Sequence, residues 1–321
     1  MKKARLHMTC HNCRIDMVKA GLAKNRAQRF KCQQCGKRFT EAQVRLFGSD
    51  SRLPDEKVTM ILHCLVEGNS VRSTARLCDV EKRTVLNLLV RAGENCERLA
   101  TEKIRNVKIS QLQADEIWTF CKIKQGRIRP DHDQAVTGDA YTYIGLDRAS
   151  KLVVAWHLGK RDQESTDDFI SKVRWATAEE PFDMCTDGFS PYIYAIDAGL
   201  HDRANYSQVV KVYSKQEEGR ERYSPGSFVT VDKTAILGNP DLKRASTSHV
   251  ERKNGTLRQW CKRLTRLTYA FSKKWDNLKA ALALHFAYYN FCRVHSSLRV
   301  TPAMEAGLTD HVWGISELLS A

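Results

Sequence analysis

No run of apolar residues reaches the 18 or so that a membrane-spanning helix needs, so the 321-residue chain does not read as an integral membrane protein. Its first residues lack the apolar core of a secretory signal, and the expectation is a soluble, cytoplasmic protein. Internal repeats and low-complexity tracts are missing too, which sets aside solenoid and disordered classes. Acidic residues are few: 37 Asp and Glu face 52 Lys and Arg, and a net charge of +15 calls for a polyanionic partner or an anionic surface. The excess is local. Residues 1–108 hold 23 basic and 11 acidic side chains, a net of +12, and the rest of the chain is nearly balanced. The length exceeds a single small module and suits two or three domains.

In a reducing compartment the eleven cysteines do not read as a disulfide framework, so their spacing must assign them. Cys10-His11-Asn12-Cys13 and Cys32-Gln33-Gln34-Cys35 are two Cys-x-x-Cys knuckles with 18 residues between them. Four thiolates about 2.3 Å from one ion close a tetrahedron with no open position, the signature of structural zinc. His11 is a possible substitute ligand that four cysteines leave unneeded. A zinc ribbon over residues 1–46 has little core, so the metal should supply most of its folding free energy. Lys19, Lys24, Arg26, Arg29, Lys31, Lys37 and Arg38 surround it, as on a ribbon laid against phosphates. The isolated Cys64, Cys78, Cys96, Cys121, Cys185, Cys261 and Cys292 read as core residues.

Residues 50–98 read as a helix-turn-helix domain. Pro54 can open a helix, in which Val58, Ile61, Leu62 and Leu65 recur at helical spacing until Gly68-Asn69. Two helices follow between residues 71 and 91, with Ala75, Val80, Val85 and Leu88 inward. That leaves Lys82, Arg83, Thr84, Asn87 and Arg91 for a DNA groove. Asp79 occupies the turn where such motifs often carry Gly; Asp tolerates the left-handed conformation less well than Gly but better than most residues. The alternative is a three-helix bundle with a solvated basic face. Residues 99–108 read as a linker.

From Ile109 the period shortens to two. Residues 109–123, 140–146 and 151–158 read as three consecutive antiparallel strands. They are followed by a helix at 163–177, a strand at 182–186, a short helix at 191–197, a strand through Val209, Val210 and Val212, and helices from Ser248. Residues 214–246, rich in Gly and Pro, read as an insertion or long loop. This order matches an α/β ribonuclease H-like catalytic domain over residues 109–298, a mixed five-stranded sheet with helices, leaving residues 299–321 as a C-terminal segment. In that fold, acids on two neighbouring strand ends and a later helix meet over the sheet. Asp115, Asp187 and Glu251 stand at those three places. Side chains alternate along a strand, so Asp115 and Glu116 are not expected to face one site, and Asp115 is chosen. Asn254 and Arg258 share a helical face with Glu251. Residues 252–274 carry eight basic side chains and no acidic one, and Lys253, Lys262 and Arg263 are the DNA contacts expected there. Asp147 reads as a hairpin-turn residue, and Phe286, Tyr288, Tyr289 and Phe291 as helix core.

Gln113-Ala114-Asp115-Glu116-Ile117-Trp118, Thr186-Asp187-Gly188 and the run from His249 to Arg258 resemble bacterial insertion-sequence transposases of the IS-one type over nearly the whole chain. The resemblance implies an Asp-Asp-Glu triad at Asp115, Asp187 and Glu251, with a basic residue at Arg258. It also implies binding to the element's terminal repeats, cleavage at its ends and 3′-hydroxyl strand transfer into target DNA, in a nucleoid-associated protein. Three carboxylates of this kind hold two Mg²⁺ or Mn²⁺ ions for in-line displacement at phosphorus. Joining two ends of double-stranded DNA calls for a homo-oligomer, at least a dimer. Two alternatives stand beside it. His249 and Arg252 match the His-x-x-Arg element of tyrosine recombinases, with Tyr269 or Tyr288 as nucleophile, although those catalytic domains are mostly helical. The other is a catalytically inactive DNA-binding regulator.

Overall fold

A computed structural model describes residues 8–10, 12–23, 27–40, 53–214 and 228–320. His11, Lys24, Arg26 and residues 215–227 of the expected insertion lie outside the described residues. The chain forms two compact units, Met1–Asp55 and Glu56–Ala321.

In the first unit β1 (Val18–Leu22), β2 (Gln28–Lys31) and β3 (Arg38–Thr40) make an antiparallel three-stranded sheet. Its small core joins Cys10, Met17, Phe30 and Cys32. Both knuckles turn in the same way. The residue four after the first cysteine adopts a left-handed conformation, Arg14 at φ 54° and Gly36 at φ 72°. Its N–H donates to that cysteine's carbonyl, at 2.8 Å for Arg14 to Cys10 and 3.0 Å for Gly36 to Cys32. Glycine adopts this conformation freely, whereas Arg14 does so at a steric cost.

The second unit opens with α1 (Asp55–Val66), α2 (Val71–Leu77) and α3 (Lys82–Lys103). Ser70 caps α2, its hydroxyl accepting from the Ser73 N–H at 3.1 Å. The turn into α3 contains Asp79 at φ 46°. Because α3 continues to Lys103, the first half of the expected linker is helix; Ala92, Gly93, Cys96 and Leu99 sustain its buried stripe.

The sheet that follows has strand order β6-β5-β4-β7-β8-β9, formed by β4 (Gln111–Cys121), β5 (Gly138–Asp147), β6 (Val153–Gly159), β7 (Phe182–Thr186), β8 (Ala204–Tyr213) and β9 (Phe228–Leu237). β4, β5 and β6 pair antiparallel, β4, β7 and β8 pair parallel, and β9 returns antiparallel on β8. It has six strands where five were expected. The sixth, β9, comes from the segment read as an insertion, and most of its side chains are exposed, so no buried face marks it in the sequence. The arrangement is consistent with a ribonuclease H-like fold.

Residues alternate across the sheet. Tyr143 meets Phe169 of α4 (Gln163–Ala176) and Tyr192 of α5 (Pro191–Leu200). On the opposite face Ile117 and Ile144 join a core with Val250 and Leu257 of α6 (Ser248–Trp260) and Leu278, Leu282 and Phe286 of α7 (Trp275–Ala287). A π-helical turn, Tyr288–Cys292, extends α7. From it Asn290 bonds the edge strand β6 through both polar atoms, accepting from the Val153 N–H and donating to its carbonyl. That pairing blunts one end of an exposed sheet edge. Phe286, Tyr289 and Phe291 are buried and Tyr288 half-buried, as expected of helix core. Asp147 accepts the N–H and hydroxyl of Ser150 in the β5–β6 turn, again as expected. The chain ends with α8 (Pro302–Glu305) and α9 (Ile315–Ser320). Thr59 of α1 bonds Ser316, and Asn95 of α3 bonds the Leu319 carbonyl, so the C-terminal segment ties back to the first helices.

Candidate functional site: a carboxylate cluster where two strands part

β4 and β7 pair only from Gln111↔Asp183 to Gln113↔Cys185, then separate. Between Gln113 and Cys121, which bridges to Ser272, that edge of β4 pairs with no described strand, and Asp187 follows the last residue of β7. Asp115, Glu116 and Asp187 come together in this opening, each offering a carboxylate oxygen within 4.8 Å of the others. This corrects the expectation that Asp115 and Glu116 cannot share a site. Strict alternation holds for a strand paired on both sides, but beside a free edge two adjacent side chains can lean towards the same gap.

Asp115 is held firmly. Its own carboxylate accepts the Glu116 N–H at 2.8 Å, and Asn254 of α6 donates to its other oxygen at 2.8 Å. Gln113, two residues earlier on the same face of β4, accepts the His249 and Val250 N–H groups at 2.9 and 3.2 Å. The side chain of Thr247, the residue ahead of α6, makes no capping bond. A strand residue thus caps the helix that carries Asn254 and Glu251 and seats it over Asp115. The sequence signals this role of Gln113 only as an amide two residues from Asp115 on the same strand face.

Burial and then the Asp187 charge push the Asp115 carboxyl up to about 6, and the same causes push Glu116 to about 7. Arg161 partly offsets this concentration of negative charge, with Nε 3.4 Å from Glu116 and Nη2 3.9 Å from Asp187. A set of hard oxygen donors crowded into a partly desolvated gap fits Mg²⁺ or Mn²⁺. Glu251 is not in the three-carboxylate group. One of its oxygens pairs with Lys211 of β8 and the other accepts from Thr247 at 2.6 Å, although its charge still raises the Asp115 pKa.

The other expected residues divide. Arg258 donates to the carbonyls of Leu264 and Trp118 at 2.9 and 3.3 Å, bracing the loop after α6 against β4 rather than reaching the carboxylates. Lys253, expected on DNA, is buried: its Nζ lies 2.9 Å from the Tyr289 ring centroid, and burial drives its pKa well below the ordinary lysine value. On α6 position 253 falls on the inward stripe with Val250 and Leu257, which basic composition alone did not reveal. Lys262 is exposed; Arg263 is half-buried and donates to Ser272 at 2.9 Å. Lys82, Arg83, Asn87 and Arg91 are exposed along one side of α3, with Thr84 half-buried beside them.

In the first unit the sulfurs of Cys10, Cys13, Cys32 and Cys35 all lie within 4.8 Å of one another, and those of Cys10 and Cys35 are 3.7 Å apart. A tetrahedron with zinc–sulfur bonds near 2.3 Å has edges of about 3.8 Å, so the four thiols fit one zinc ion. Of the other cysteines, Cys78, Cys96, Cys121, Cys185 and Cys261 are buried and Cys64 and Cys292 half-buried.

No protein-family model matches the chain, and no curated protein does. Among solved structures it is similar to a Mos1 transposase paired-end complex with left transposon end, at 14% identity over 46% of this chain and 57% of that one, with a TM-score of 0.18. A Mos1 strand transfer complex matches at 14% identity over 48% and 58%, TM-score 0.20. A Mos1 mariner paired-end complex with Mn matches at 12% over 46% and 57%, TM-score 0.17. The matches span just over half the length of those proteins. Superpositions this loose define no residue correspondence, and the site stands on its own geometry.

Proposed function

We propose that the chain is an Asp-Asp-Glu DNA transposase: it binds the terminal repeats of an insertion sequence, cleaves phosphodiesters at its ends and joins the freed 3′-hydroxyl to target DNA. The observation that carries this reading is the carboxylate cluster in the gap between β4 and β7, with Asn254 fixing Asp115 from α6.

Asp115 and Asp187 are the central donors for divalent ions, with Glu116 on one side and Glu251, now paired with Lys211, on the other. The chemistry supplied when Mg²⁺ or Mn²⁺ is bound there is activation of water or a 3′-hydroxyl and stabilisation of the leaving oxygen at phosphorus. The chain's own residues set the geometry. Asn254 and the Glu116 N–H orient the Asp115 carboxylate, Gln113 seats α6, and Arg161 tempers the repulsion between Glu116 and Asp187. The four-cysteine unit holds a structural zinc. The exposed side of α3 from Lys82 to Arg91 contacts duplex DNA as the second helix of a helix-turn-helix, and the acting form is at least a dimer because two ends must be joined.

The test is incubation of the full chain with supercoiled plasmid DNA, with and without Mg²⁺ or Mn²⁺. Metal-dependent nicks ending in 3′-hydroxyls are expected. Asp187→Asn should lower the nicking rate by roughly a hundredfold or more while retaining DNA binding in a gel shift. A metal-independent covalent protein–DNA adduct would overturn the assignment in favour of a tyrosine nucleophile. Binding without cleavage in either metal would leave a regulator.

A further inference from the structure

One large groove in the second unit is left unused by the chemistry above. It has a volume of about 1000 Å³, the upper end of the range for ligand pockets, and lies between the last residues of β4 and the loop after α6. Its floor is aromatic. Glu116, Trp118 and Phe120 share one face of β4, so the floor begins one side-chain step, about 7 Å, beyond the carboxylate cluster. The Trp118 and Phe120 ring centroids are 6.0 Å apart, and Phe271 continues the row at 4.6 Å from Phe120. The walls carry Lys122, Lys124, Arg127 and Arg266, all exposed, and no acidic side chain among the described lining residues.

The rim is unusual. Leu267 is 100% exposed and Tyr269 99% exposed, the two most exposed large apolar side chains among the described residues. Leu267 also has a φ of 51°, a conformation that costs a bulky residue steric energy. A loop that presents an aliphatic and an aromatic side chain to water on a strained backbone gains no folding stability from either. Both have the character of wedges that separate stacked bases. A row of rings flanked by cations is what unpaired bases and their phosphates bind, stacking below and charge alongside.

We propose that this groove takes an unpaired stretch of DNA next to the cleavage site: Leu267 and Tyr269 part the duplex, and the displaced bases stack along Trp118, Phe120 and Phe271. The choice of DNA, and of a strand leading to the carboxylates, rests on the transposase reading. The binding site itself does not.

The test is fluorescence anisotropy of the full chain, without added Mg²⁺ or Mn²⁺, with labelled oligo(dT), oligo(rU) and a fully paired duplex. Oligo(dT) binding should weaken roughly 5- to 150-fold in Trp118→Ala, the span expected for losing one stacked base. Because Trp118 is partly buried, Leu267→Ser with Tyr269→Ser serves as a second variant that disturbs no packing. It should leave oligo(dT) binding nearly unchanged but abolish the opening of a duplex carrying 2-aminopurine beside the cut, read as lost fluorescence rise. Oligo(dT) affinity unaffected by Trp118→Ala, or binding of oligo(rU) alone, overturns the groove even if metal-dependent nicking is intact. Stacking-dependent oligo(dT) binding without nicking in any metal keeps the groove and removes the transposase reading.

Discussion

Glu116 and Asp115 are carboxyls that fold at an electrostatic disadvantage, held at about 7 and about 6 by burial and by Asp187. Their folded values lie above the unfolded ones, so between roughly pH 4 and 7 the folded chain binds more protons and loses stability as pH rises. Without added divalent metal the melting temperature should therefore fall from pH 5 to pH 8, and Mg²⁺ should restore part of it at pH 8 by binding the ionised groups. Asp187→Asn removes a principal source of repulsion and should raise the metal-free stability at pH 8 by about 1 kcal/mol in a urea titration. An unchanged or lower midpoint would show that Asp187 does not raise its neighbours. Lys253 is a second test at this scale. Its ammonium has no hydrogen-bond partner among the described residues, and burial disfavours its charge. Lys253→Met should stabilise the chain by about 1 kcal/mol or more and leave DNA affinity unaltered. A large affinity loss would return Lys253 to the DNA surface.

The helices depend on close fits and borrowed caps. A Cβ on Gly93 of α3 would lie 2.5 Å from the Ala280 Cα on α7, a contact that backbone movement alone can relieve. Gly93→Ala should cost about 1–3 kcal/mol by urea denaturation despite its better helix propensity. Gln113→Ala removes the acceptor for two α6 N–H groups and should cost about 0.5–2 kcal/mol. It should also slow nicking more than it weakens DNA binding, since α6 carries both Asn254 and Glu251. Most of these elements were legible in the sequence because their burial is periodic: the strands at 140–146, 151–158 and 182–186 and the helix at 163–177 follow apolar spacing closely. β9 was not, because an exposed edge strand needs no buried face and Gly and Pro flank it. Asp115 and Asp187 were legible as an acid within the first strand of the sheet and an acid just past the end of β7. Glu116 was not, because its access depends on where β4 and β7 stop pairing, a property of two strands far apart in the chain. Lys253 misled for a related reason, since a basic run shows charge but not which member points inward.

At the scale of the whole chain, two units divide the stabilising forces differently. The second has apolar packing on both faces of its sheet, whereas the described core cluster of the first joins four buried residues, two of them cysteines of the proposed zinc site. Removing zinc should therefore unfold the first unit and leave the second intact. One zinc per chain is expected by metal analysis. Cys32→Ser should abolish it, erase the metal-dependent part of the far-ultraviolet circular dichroism and leave the main thermal transition within a degree or two. The consequence for DNA follows from charge. Residues 1–108 carry +12 of the net +15, and a folded zinc unit holds its share of those cations in a fixed array. Duplex affinity falls with salt at a slope of about 0.9 per phosphate neutralised. Cys32→Ser should thus lower both the affinity and that slope, while the metal dependence of nicking, set by the carboxylates of the second unit, stays the same at saturating DNA. A variant that keeps the wild-type slope would show that the first unit does not touch the phosphates. One that loses Mg²⁺-dependent nicking at saturation would show that the first unit takes part in chemistry as well as in binding.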